Sequence, residues 1–109
     1  MLHILQDEVS LDTLVSQDFP VIVLYFTATW CGPCKMIWPK VQELSNVYKD
    51  NILFVKIDVD EFEDLCTDCD VSSMPTFQFF KQNNKTMFDM LNGANQEELI
   101  KKCESAINH

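Results

Sequence analysis

Val21-Ile22-Val23-Leu24-Tyr25-Phe26 and, just after it, Trp30-Cys31-Gly32-Pro33-Cys34-Lys35 are the stretch that decides the fold. The first six residues form an almost uninterrupted apolar, β-branched and aromatic run, the composition of a strand covered on both faces. From about Cys31 to Tyr48 the period changes, because Ile37, Val41, Leu44 and Tyr48 recur at helical spacing, with Pro39 inside as the expected kink. Ile52 to Asp58 then repeats the buried-strand composition. Strand, helix, strand in this order is a right-handed crossover joining a parallel pair, so a central sheet with helices packed on it follows.

Outward from that unit, Leu2 to Leu5 suits a short strand, and Asp7 is placed to N-cap a helix whose Leu11, Leu14 and Val15 share one face. Phe62, Leu65, Cys66 and Cys69 stand at i, i+3, i+4 and i+7, one face of a short helix. Thr76 to Phe80 and roughly Thr86 to Leu91 suit antiparallel strands joined at Asn83-Asn84, a pair that tolerates left-handed backbone. Asn95 with Glu98 three residues on resembles a capping box, opening a last helix with Leu99, Ile100, Cys103, Ala106 and Ile107 on its apolar stripe. The expected class is α/β, a central mixed sheet of about five strands flanked by about four helices. With 109 residues, 47% of them apolar, residues 1–109 make a single domain.

The 17 acidic and 8 basic side chains give a formal charge of −9, which repels polyanions and argues against nucleic acid as a partner. Met1 to Glu8 has neither the basic region nor the apolar length of a signal peptide, and no stretch is long enough to span a bilayer. A cytoplasmic, reducing setting is therefore expected, where Cys pairs are catalytic or metal-binding more often than structural.

Cys31 and Cys34 fall where a strand ends and a helix begins. Unpaired backbone N–H groups and the helix dipole favour a thiolate there, so Cys31, expected at the exposed start, is the candidate low-pKa nucleophile. Cys34, one turn inside, suits the resolving thiol that attacks a mixed disulfide. Pro33 fits the first turn, where its missing N–H matters little.

These residues, with Pro39, Asp58-Val59-Asp60, Met74-Pro75-Thr76-Phe77 and Gly93-Ala94, resemble the thioredoxin family over essentially the whole chain. The resemblance implies a thioredoxin fold and reduction of protein disulfides by dithiol–disulfide exchange. The Gly32-Pro33 pair is similar to that of reducing members rather than isomerases. It implies no cofactor on the chain and no metal, with electrons drawn from NADPH through a thioredoxin reductase. Clients by the same analogy are peroxiredoxins, methionine sulfoxide reductases and ribonucleotide reductase, met by a monomer. Trp30, Gly32, Pro33, Met74, Pro75, Gly93 and Ala94 would line a shallow apolar groove, with a cis Met74–Pro75 bond facing the active-site sulfurs. Gly93 serves either close approach of a client backbone or simply a turn.

Two departures from the family stand out. Counting back from Cys31, the buried aspartate of the family becomes Tyr25, leaving Lys56 on the neighbouring strand without its usual carboxylate neighbour. A phenol is a poor base near neutral pH, so Tyr25 is expected to slow proton removal from Cys34; the plainer reading is a packed aromatic whose hydroxyl reaches water. Trp38 stands where a smaller residue is usual, as packing or surface rather than a partner contact. Cys66 and Cys69 raise an alternative, a zinc-stabilised four-cysteine interaction module with Cys31 and Cys34. Their place on an apolar helix face favours inert core thiols, with redox sensing second, and Cys103 is expected to be inert as well. A redox-inactive binding subunit of the same fold is the third reading.

Overall fold

The computed structural model describes residues 1–109. Five strands, β1 (Leu2–Ile4), β2 (Val21–Thr27), β3 (Ile52–Asp58), β4 (Thr76–Lys81) and β5 (Asp89–Asn92), form one mixed sheet in the order β1-β3-β2-β4-β5. β3 pairs in parallel with both β1 and β2, while β2 with β4 and β4 with β5 run antiparallel. Four helices accompany them: α1 (Leu11–Val15), α2 (Gly32–Val47), α3 (Glu63–Asp68) and α4 (Gln96–Ala106). β2 sits at the centre with every residue buried, as its unbroken apolar run requires.

Alternation along the central strands sorts the core into two layers. Ile22, Leu24 and Phe26 of β2 join Leu53, Val55 and Ile57 of β3 under α1 and α3, with Leu14, Val15, Leu65 and Cys66 from the helices. Val21, Val23 and Tyr25 take the other face with Ile52 and Phe54, under Ile37, Val41 and Leu44 of α2 and Leu99, Cys103 and Ala106 of α4. Lys56 and Asp58 continue the Ile52–Phe54 alternation, so both project toward the α2 layer, paired in register with Tyr25 and Thr27. Two charged residues thus lie on an otherwise apolar face, at the end of the strand where α2 begins.

Several element ends differ from the sequence reading. α1 starts later than an Asp7 cap implies: Ser10 is the N-cap, its Oγ accepting from Thr13 N at 3.2 Å. Periodicity fixes a helix face but not its first residue. β5 begins at Asp89 rather than Thr86, because the Thr86 N–H is taken by Asn84 Oδ1 at 2.9 Å within the connecting loop. Asn83 in that loop adopts φ 62°, the left-handed backbone its composition suggested. Asn95 caps α4 through Oδ1 and Glu98 N at 3.1 Å, while the Glu98 carboxylate turns to Lys101 instead of completing a capping box. Ile107 is the C-cap and largely exposed, ending the stripe one position early.

Candidate active site

Cys31 is the N-cap of α2 and Cys34 lies in its first turn, after Gly32 and Pro33. The two are joined by a disulfide with Cα atoms 5.3 Å apart. Cys31 Sγ accepts a hydrogen bond from Cys34 N at 3.2 Å, so one of the helix's free N–H groups already points at this sulfur. A thiolate at the same place would gain that donor and the positive end of the dipole. Cys31 is less accessible than the sequence suggested, at 5% exposure, because its side chain packs with Cys34 and Ala28 against Val59 and Met74. The exposure expected at a helix start falls instead to Trp30, at 64%, and to Met36 on the next turn.

Of the candidate groove residues outside the Trp30–Cys34 loop, Met74 packs against the cystine. The Met74–Pro75 peptide bond is cis, and the Met74 carbonyl oxygen lies 3.8 Å from Cys31 Sγ. Gly93 N donates to the Pro75 carbonyl at 2.9 Å, tying the start of β4 to the end of β5, with Ala94 half-buried beside it. Gly93 has φ 98°, and a Cβ there would meet nothing within 4 Å. The positive φ by itself favours glycine here, and the space beside it is open. Trp30 is held by its indole Nε1–H, which donates to Asp60 Oδ2 at 2.8 Å, and Asp60 N in turn donates to Asp58 Oδ1 at 2.9 Å. The sequence reading assigned no role to Asp58 or Asp60. Their signal was the i, i+2 spacing from Lys56, which puts Asp58 on the Lys56 face of β3.

Behind Cys34 a partly open cavity of about 280 Å³ is bounded by Tyr25, Thr27, Cys34, Trp38, Lys56 and Asp58. Tyr25 is 1% exposed and lies between two rings, with centroids 4.8 Å from Phe77 and 6.2 Å from Trp38, both stacked. Its hydroxyl donates to the Cys34 carbonyl at 3.1 Å, so the proton is committed within the protein rather than to water. Burial pushes the phenol above its ordinary value, against a smaller opposing effect from Thr27, making it a still weaker base. Lys56 Nζ sits 4.3 Å from the Trp38 ring centroid, so an aromatic face rather than a carboxylate meets the ammonium. Trp38 is therefore packing, as expected, but packing with an electrostatic task.

Cys66 and Cys69 lie in the α1–α3 layer and Cys103 on the inner face of α4, all buried. Cys69 is the C-cap of α3 rather than a residue of its regular turn. Burial, with help from neighbouring acidic residues, pushes Cys66 and Cys69 up to about 11 and Cys103 up to about 12. The sulfurs do not converge with the active-site pair, and no group of three or more His, Cys, Asp or Glu side chains is arranged to hold a metal. At pH 7.5 their thiolate fraction should be below about one in a thousand. In a mass-mapped iodoacetamide time course on the reduced protein, these three thiols should stay unlabelled until the active-site pair is exhausted. Early labelling of Cys66 or Cys69 would reinstate the redox-sensing reading.

Comparison with known proteins agrees with this geometry. The family model described as Thioredoxin matches residues 3–105. The thioredoxin of Equus caballus is 47% identical over 88 residues, covering 81% of each chain. The solution structure of oxidised thioredoxin from Plasmodium falciparum superimposes with a TM-score of 0.83 at 34% identity, covering 96% of this chain and 97% of that one. A chain from a structural study of the thiol resolving mechanism in yeast mitochondrial 1-Cys peroxiredoxin via glutathione/thioredoxin systems gives a TM-score of 0.84 at 36% identity, covering 95% and 94%.

Proposed function

The chain belongs to the thioredoxin family and is a thiol–disulfide oxidoreductase, and on that premise we propose how its residues divide the work of reducing protein disulfides. Cys31 is the attacking thiolate and Cys34 the resolving thiol. The observation that carries this assignment is the bond from Cys34 N to Cys31 Sγ: of the two sulfurs, Cys31 is the one at the helix cap, with a backbone donor aimed at it. Thiolate attack on the client disulfide forms a Cys31–client mixed disulfide and releases one client thiolate. Cys34 then attacks Cys31 Sγ, closing the cystine and expelling the second client thiolate.

Clients dock along Trp30, Gly32, Pro33, Met74, Pro75, Gly93 and Ala94, a reading supported by Met74 packing against the cystine and by the Gly93 N–H bonded to the Pro75 carbonyl. Tyr25 and Lys56 support the pair from behind. Electrons come from NADPH through a thioredoxin reductase, with no cofactor on the chain itself. Peroxiredoxins are the favoured clients, in keeping with the study from which the yeast neighbour comes, beside methionine sulfoxide reductases and ribonucleotide reductase. No helix is long and apolar enough to cross a membrane, and the protein acts as a cytoplasmic monomer on this reading. In a coupled assay with NADPH, thioredoxin reductase and insulin, NADPH should be consumed in proportion to insulin reduced. Reduction of insulin by the dithiothreitol-reduced protein without reductase coupling would retain the chemistry and remove the proposed electron source. Failure of both would remove the reductase.

A further inference from the structure

Resolution of the mixed disulfide requires that Cys34 lose a proton, and the residue placed to take it is not obvious here. Tyr25 fills the position beside Cys34, but its hydroxyl already donates to the Cys34 carbonyl and burial holds its proton more firmly. A phenol so placed cannot serve as the base near neutral pH. Lys56, over the Trp38 ring, is a cation and equally unsuited.

One carboxylate shares the cavity with Cys34. Asp58 follows Lys56 by two residues on β3 and so projects from the same face, toward α2. One of its oxygens accepts from Asp60 N at 2.9 Å, which holds the carboxylate, and the residue forms part of the cavity wall. With about 280 Å³ the cavity is large enough for water, and Cys34, Thr27 and Asp58 supply polar partners along its wall. The charged and titratable groups around Asp58 are Lys56 on its own strand, Tyr25 on β2, Cys34 and Lys35 on α2, Asp60 in the following turn, and Cys66 on α3.

We infer that Asp58 is the proton acceptor for Cys34, acting through water in this cavity, with Lys56 beside it favouring the thiolate that results. The inference rests on Cys34 being the resolving thiol. The step balances within the protein: the Cys34 S–H proton passes through water to the Asp58 carboxylate, and the Cys34 sulfur bonds to Cys31 Sγ. The Cys31–client S–S bond breaks, and the departing client thiolate recovers a proton from the Asp58 carboxylic acid through the same water.

Single-turnover reduction of a labelled protein disulfide, quenched with acid and resolved by mass, separates appearance of the mixed disulfide from its disappearance. In Asp58→Asn the amide oxygen can still accept from Asp60 N, so the turn is kept while the base is removed. Appearance should be unchanged. Disappearance at pH 7 should slow about 10²-fold, the lower end of the range for general acid–base catalysis, with the deficit shrinking toward pH 9 as hydroxide takes over. Asp58→Glu should recover part of the rate, and adding Tyr25→Asp to Asp58→Asn should recover more by supplying a carboxylate from β2. Asp58→Ser, which also keeps an oxygen for the turn, decides the matter should the Asn variant not fold. Disappearance within twofold of the natural protein from pH 6 to 9 in either carboxylate-free variant would overturn the assignment. Absence of any mixed disulfide, even in Cys34→Ser, would instead overturn the roles of the two cysteines.

Discussion

Cys31→Ser should lose insulin reduction by a factor on the order of 10³ or more, while Cys34→Ser should lose turnover to a similar extent yet accumulate protein–client mixed disulfides. The two losses have different causes. Without Cys31 no sulfur stands at the N-cap of α2, and a hydroxyl there has no accessible anion at neutral pH to use the Cys34 N–H. Without Cys34 the attack still occurs, but nothing inside the protein breaks the Cys31–client bond. Mass analysis of a quenched reaction should therefore show a covalent adduct for Cys34→Ser and none for Cys31→Ser. An adduct on Cys34 in the Cys31→Ser protein, or equal trapping by both variants, would reverse or dissolve the division of roles.

The parts of the fold legible in the sequence are those where burial leaves only one solution. Val21 to Phe26 is apolar on both alternating faces, which only a central strand satisfies, and the structure places it between β3 and β4. Helix α2 was equally plain, since Ile37, Val41 and Leu44 fall on one stripe and Cys31 and Tyr48 bound it as caps. Starts decided by a single side-chain hydrogen bond were not legible. Asp7 and Ser10 are both good N-caps by composition, and nothing local says that Ser10 Oγ is the one to meet Thr13 N. In the same way, Asn84 takes the Thr86 N–H and delays β5, although Thr86-Met87-Phe88 suits a strand by propensity.

At the site, the cysteine pair was legible because its position relative to the elements carries the chemistry. Its accessibility was not: contacts with Met74 and Val59, distant in sequence, cover Cys31. Tyr25 and Trp38 looked like two unrelated departures, and the structure makes them one. Without a carboxylate at position 25, Lys56 would face an apolar layer; Trp38 lays its ring under the ammonium, a contact worth about 0.5–2 kcal/mol, and the same ring stacks on Tyr25. The column Lys56–Trp38–Tyr25–Phe77 spans β3, α2, β2 and β4, a grouping that no single-element periodicity can show. Asp58 is not legible for the same reason, because its partners across the cavity come from β2 and α2.

That column makes Tyr25→Asp a costly change for stability. Tyr25 is 1% exposed with its ring stacked on Phe77 at 4.8 Å, so truncation removes both the buried area and the aromatic contact. The introduced carboxyl group would also lose the geometry that lets the phenol reach the Cys34 carbonyl. Two effects then set its ionisation: desolvation raises its pKa, and Lys56, opposite in the β2–β3 register, lowers it. Lys56 is already engaged over Trp38 and half-buried, so desolvation should win and the folded-state pKa should stand above the unfolded value of about 3.9. A carboxyl group shifted in that direction destabilises progressively as pH rises above about 4, levelling off once pH passes the folded-state value. At pH 4 the oxidised variant should therefore show mainly the packing loss. At pH 8 the total should reach about 3–5 kcal/mol, lowering the melting temperature by roughly 10–20 °C. Thermal unfolding of both proteins from pH 4 to 8 measures this directly. A deficit that narrows as pH rises would mean that Lys56 leaves Trp38 to pair with the new carboxylate, and a deficit under about 3 °C at pH 8 would mean that the stack contributes little to the fold.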